Sequence, residues 1–198
     1  MKYVNQLLYG HIPYITRWAL EGVEQEKGKK TTIRSSGCGL CSAVMVADRL
    51  LPNCEFDLSD ALELACAVEA NHKKGTDYKR FAPAFAEKMG LHWEGTNDPE
   101  ALRVCLRTGG VAVLHIGGDR EGHIGVFSHG GHYVVAISEE MDGRIAILDP
   151  SYKEGKFEEE GRKGLVEVKN GVIALCDMAV LEADTANKDP GFYLFRRP

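Results

Sequence analysis

The hydrophobic period of the chain changes once, at Gly109-Gly110, and that change restricts what it can fold into. Before it, apolar residues recur at helical spacing: Leu40, Ala43, Val44, Ala47, Leu50 and Leu51 form one stripe, which Pro52 ends. Asp57 or Ser59 can cap a second helix carrying Leu58, Leu62, Ala65 and Cys66. Tyr78, Phe81, Ala82, Phe85 and Met89 define a third, stopped by Gly90, with Pro83 as a kink or a first turn. Asn97 with Pro99 opens a fourth, bearing Leu102, Cys105 and Leu106. A short helix is also expected around Arg17–Glu24, within an otherwise irregular stretch up to residue 36.

After residue 110 the texture is that of strands: 111–116, 133–137, 144–148, 164–168, 171–175 and 192–195. Helices first and strands afterwards indicate an α+β fold with a largely antiparallel sheet. With 198 residues and two halves that need one another for burial, the chain reads as a single domain, 1–198. Its helical part runs from about 38 to 109 and its sheet part from about 110 to 196.

The formal charge of −5 argues against nucleic-acid binding, which is usually served by a basic surface. The basic run Lys27-Gly28-Lys29-Lys30 reads as a solvated loop. No apolar stretch approaches a membrane span or a secretory signal, so the expectation is a cytoplasmic protein, unless the chain was trimmed from a longer exported precursor. Cysteines fall at 38, 41, 54, 66, 105 and 176, several within apolar patterns where a free thiol behaves as a small hydrophobe. Mostly reduced thiols are expected.

Gly37-Cys38-Gly39 stands directly before the first strong helix. A thiol at a helix N-terminus meets unpaired N–H groups and the positive end of the dipole, which favour thiolate. The flanking glycines would let a substrate carbonyl approach the backbone. The competing reading is a buried or metal-binding Cys-x-x-Cys, Cys38 with Cys41. Gly130-Gly131-His132 leads into a strand, and Asp149-Pro150 ends the next one. If 139–142 form the hairpin loop, 138 pairs with 143 and the ladder runs down to 132 opposite 149, within hydrogen-bonding range. A two-residue turn at Asp142-Gly143 would shift the partners by four residues, roughly 13 Å, and separate them.

The ordered set Ser35-Ser36-Gly37-Cys38-Gly39, Met45, Gly131-His132-Tyr133-Val134-Val135 and Asp149-Pro150 resembles the papain-like bacteriocin-processing (double-glycine leader) peptidase family, and more particularly its stand-alone bacterial relatives. The likeness runs from about Pro13 to Phe195 and takes in Glu121–Phe127, before the histidine. It implies a papain-like cysteine peptidase fold, a peptide or protein substrate, no cofactor, and Cys38 as nucleophile, His132 as base and Asp149 as third member. The family's Cys-Gly-Pro reads Cys38-Gly39-Leu40 here, and Cys41 is an alternative nucleophile by analogy with classical papain relatives. The family's upstream glutamine, an oxyanion donor, is replaced by Arg17 in Pro13–Trp18; Gln25, thirteen residues before Cys38, is a substitute candidate. A weak peptide-binding module and a zinc-binding domain are the rival functions. The histidine spacings at 123, 129 and 132 match no structural zinc pattern. The glycines from 117 to 131 suit a flap rather than a phosphate loop. The charged stretch Lys153–Lys163 reads as a solvated loop. Oligomeric state is not legible.

Overall fold

The computed structural model describes residues 2–16, 31–71 and 75–198. A 3₁₀ turn at Gln6–Leu8 is followed by α1 (Ile33–Ser36), α2 (Cys38–Leu50), α3 (Leu58–Ala67), α4 (Tyr78–Met89), β1 (His92–Thr96), α5 (Pro99–Arg107), β2 (Val111–Ile116), β3 (His132–Glu139), β4 (Ile145–Leu148), β5 (Val166–Lys169), β6 (Ile173–Cys176), α6 (Met178–Thr185) and β7 (Phe192–Arg196). The strands form one antiparallel sheet in the order β1-β7-β2-β3-β4-β6-β5, so the fold is α+β.

Local chemistry sets the helix ends. Asp57 accepts from Ser59 N (2.7 Å) and Asp60 N (3.1 Å), while Asp60 reaches back to the Asp57 amide, a reciprocal capping box. Asp77 caps α4, which Gly90 ends at φ 62°, and Pro83 is accommodated within the helix. The cap of α5 is Asp98, with Pro99 in its first turn. Asn97, expected at that start, instead accepts from the Gly191 amide, 94 residues away.

Strand alternation sends side chains to the two faces of the sheet, each with its own core. One core joins α2, α3 and α4 to Val113, Tyr133, Val135, Leu148, Tyr193 and Phe195. The other joins α5 and α6 to Leu114, Val134, Ile147 and Leu194, with Phe127 and Phe157. Each fully buried Leu or Phe contributes on the order of 1.5–3 kcal/mol.

The division into a helical and a sheet part is looser than the sequence suggests. Strand β1 lies within the first part and pairs with the last strand, β7, while α6 lies within the second. β1 is an edge strand with His92, Trp93, Glu94 and Gly95 exposed, so burial imposes no alternation on it. α6 spans eight residues, too few to show a period. The helix expected at Arg17–Glu24 and the run Lys27–Lys30 lie outside the described residues.

Candidate active site

Gly37 ends α1 and caps α2, so two helices meet at one residue, with Cys38 first in the second. A Cβ on Gly37 would lie 2.6 Å from Ile33 O and 2.8 Å from Ile33 Cα, both backbone. One on Gly39 would lie 2.9 Å from Thr76 Cβ and 3.0 Å from Tyr78 Cε2. The glycines flanking Cys38 are therefore fixed by packing against α1 and the start of α4. The sequence reading assigned them to substrate approach. Tyr78 Oη donates to Gly39 O (2.8 Å) and ties this end of α2 to the aromatic core.

Cys38 comes in at the N-terminal end of β3. Burial alone would raise its thiol pKa, but a hydrogen bond and positive charge from His132 outweigh it, helped by backbone N–H groups of Tyr133 and Gly39. The net effect holds the thiol below its ordinary value. Thiolate is the form those donors select.

His132 is buried, and its Nε2 lies 2.8 Å from Asp149 Oδ1. The same ring is hydrogen-bonded to the Cys38 thiol. Burial would lower the ring's pKa, yet the Asp149 carboxylate and the Cys38 sulfur raise it to about 9. A thiol pulled down beside an imidazole pushed up titrates as a pair, and each charge favours the other.

Asp149 is fully buried. Its Oδ1 also accepts from Ser151 N (2.8 Å) and Ser151 Oγ (3.1 Å), and its Oδ2 accepts from Lys156 Nζ. Burial opposes ionisation, but His132 and Lys156 hold the carboxyl far below the usual carboxylate range. Lys156 Nζ donates to Ser151 Oγ as well (2.8 Å), and that oxygen lies 3.1 Å from His132 Nε2. The amino-terminal segment straps the same turn: Tyr3 Oη donates to Asp149 O (2.7 Å), and the Gln6 amide to Pro150 O (2.8 Å).

The hairpin brings these groups together by a different register from the expected one. Glu139 pairs with Ile145 and Ser138 with Ala146; after a bulge, Ala136 pairs with Ile147 and Val135 with Leu148. Continued past the end of β4, this ladder puts 151, not 149, opposite His132. Asp149 reaches the ring diagonally, and Ser151 takes the directly opposed place.

Cys41, one turn along α2, is fully buried within the core, and burial pushes its thiol pKa well up. It does not share the electrostatics of Cys38. Arg17 and Gln25 lie outside the described residues. All six cysteines are free; Cys105 and Cys176 are buried as small hydrophobes, whereas Cys66 is exposed despite its place in an apolar pattern. His123 bonds Asp184 (2.8 Å), and His129 sits between Asp119 (2.8 Å) and Glu159 (3.0 Å). Among the described residues no group of three or more His, Cys, Asp or Glu side chains is placed to hold a metal ion.

The sequence reading missed Ser151 and Lys156. Asp149-Pro150-Ser151 carries the signal of an Asx turn, with the side chain accepting from the amide two residues on. Lys156 has no such signal, because it sits in a stretch that reads as solvated. That reading needs correction: within 153–163, Lys156, Phe157 and Arg162 are buried. Lys156 ends on the Asp149 carboxylate, and Arg162 on Gly125 O (2.9 Å) and Glu159 (2.9 Å).

No family model matches the chain, and the curated proteins contain no significant match to it.

Proposed function

We propose that this protein is a thiol-dependent peptidase or amide hydrolase of papain-like fold, with Cys38 as nucleophile, His132 as acid–base and Asp149 as the residue orienting and charging the imidazole. The observation that carries this reading is the His132 ring, held through Nε2 by a buried carboxylate while its other side draws the Cys38 thiol toward thiolate. A module that only binds peptides needs no such charge separation.

In this reading the Cys38 thiolate attacks a peptide carbonyl. The Cys38 N–H, an unpaired donor in the first turn of α2, faces the developing oxyanion. His132 gives its proton to the leaving amine and then, as a neutral base, activates water against the thioester. Asp149 stays ionised throughout and stabilises the imidazolium.

Iodoacetamide labelling near pH 6, followed by peptide mapping, tests the thiolate. Cys38 should react faster than the other five cysteines, and Cys38→Ala should abolish hydrolysis of a peptide library. Slow labelling of Cys38 together with hydrolysis that survives Cys38→Ala would sink the proposal.

A further inference from the structure

A cavity of about 450 Å³ adjoins the candidate triad. Its walls include Arg34, four residues before Cys38, Gly130, two before His132, and Ser151, whose hydroxyl is 3.1 Å from His132 Nε2. The pocket is thus framed by the segments that lead into the nucleophile and the base.

The charge of this wall runs against the charge of the molecule. The protein carries a formal −5, yet Arg34, Lys153, Lys156 and Arg162 line the cavity and Glu159 is the one carboxylate among its lining residues. Lys156 is committed to Asp149, and Arg162 is bonded to Glu159 through Nη1 and to Gly125 O through Nε. Arg34 and Lys153 are exposed and form no ion pair among the described residues. Arg162 is 2% exposed, and its Nη2 has no hydrogen-bond partner. A buried guanidinium nitrogen without an acceptor is costly to maintain, and a carboxylate is the partner whose geometry fits the guanidinium fork. The cavity's one histidine, His129, is held between Asp119 and Glu159, which raise its pKa and offset its charge.

We propose that this cavity is a substrate subsite for a carboxylate, so that the peptide cleaved at Cys38 places an acidic side chain or a free C-terminus among Arg34, Lys153 and Arg162. The assignment as a subsite rests on the amide-hydrolase reading of the triad, whereas the affinity for an anion does not.

Binding is measured by isothermal titration on the full chain carrying Cys38→Ala, which removes turnover. Three otherwise identical short Gly/Ala peptides serve as probes: one with an internal Glu and an amidated end, its Gln counterpart with an amidated end, and the Gln peptide with a free carboxyl end. At low salt the best anionic probe should bind about tenfold more tightly than the neutral one, a difference that shrinks as screening increases. The stronger of the two anionic probes identifies side chain or terminus as the source of the carboxylate. Arg34→Gln with Lys153→Gln, both exposed and so compatible with folding, should reduce the preference to less than about twofold. Equal binding of all three probes, no binding at all, or a preference that survives the double substitution would overturn the proposal. Alkylation of Cys38 in the unsubstituted protein tests the triad separately. An anion preference with a sluggish thiol removes the hydrolase reading, and a fast thiol without the preference removes the subsite.

Discussion

Lys156→Met removes the one donor that Asp149 Oδ2 has among the described residues. The other oxygen keeps three: His132 Nε2, Ser151 N and Ser151 Oγ. Breaking a buried ion pair from one side costs roughly 3–5 kcal/mol because the remaining charge is left uncompensated. The surviving bonds to Oδ1 place this case at the lower end, at about 3 kcal/mol, near the roughly 1.5–3 kcal/mol of a single charge-assisted hydrogen bond. For a chain of this length that shifts the urea midpoint down by about 1 M at pH 7. The double cycle with Asp149→Asn isolates the coupling, since each substitution alone strands one buried charge and the pair together strands none. The coupling energy should therefore reach at least about 2 kcal/mol. A cost below about 1 kcal/mol, equal in the wild-type and Asp149→Asn backgrounds, would refute the reasoning and return Lys156 to the solvated loop suggested by its neighbours in sequence.

Three further outcomes are expected. Asp149→Asn removes the larger of the two influences that raise His132, leaving Cys38 against burial, so the ring's pKa should fall well below about 9. Iodoacetamide labelling of Cys38 should then move to higher pH and hydrolysis should drop by about 10³–10⁴; an unchanged pH profile would disconnect Asp149 from the thiol. Cys41→Ala should keep most of the labelling and most of the hydrolysis, at a stability cost of about 1 kcal/mol, since Cys41 is a core residue; the reverse pattern moves the nucleophile. The folded-state pKa of Asp149 is depressed, so its contribution to stability is present above the unfolded value near 3.9 and lost as pH falls further. The stability gap between wild type and Asp149→Asn, followed by urea denaturation, should widen as pH falls from 7 to about 5, because only the wild type holds His132 protonated, and should narrow in stronger acid as Asp149 loses its charge.

The elements were legible in the sequence wherever burial imposes a period. β2 runs over Val111–Ile116 as expected and α4 over Tyr78–Met89, because their apolar faces meet the core at full contact. β1 and α6 were not, one being an exposed edge and the other too short. The site residues were legible through backbone context, a thiol at a helix start and a histidine at a strand start. The hairpin register was not, and its error is instructive. Side chains alternate faces along a strand, so whether 132 and 149 share a face depends on the parity of the pairing. The ladder nearest the loop, Glu139 with Ile145 and Ser138 with Ala146, would by itself place 149 opposite 135 and turn Asp149 away from His132. One extra residue in β3, Ile137, shifts the pairing by one, so that 149 falls opposite 134 and its side chain returns to the face of His132. Nothing in Tyr133-Val134-Val135-Ala136-Ile137 announces a bulge, since a bulged valine or isoleucine looks like any other strand residue. The sequence reading reached the right pair through a compensating error, an unbulged hairpin with a shorter reach. The bulge also explains Ser151: once 149 is diagonal to His132, the place opposite the ring belongs to 151, whose hydroxyl accepts from Lys156 and donates to Asp149. Deleting Ile137 should therefore abolish fast labelling of Cys38 near pH 6 even in a chain that still folds. Fast labelling in a folded deletion variant would show that the carboxylate can reach His132 from either parity.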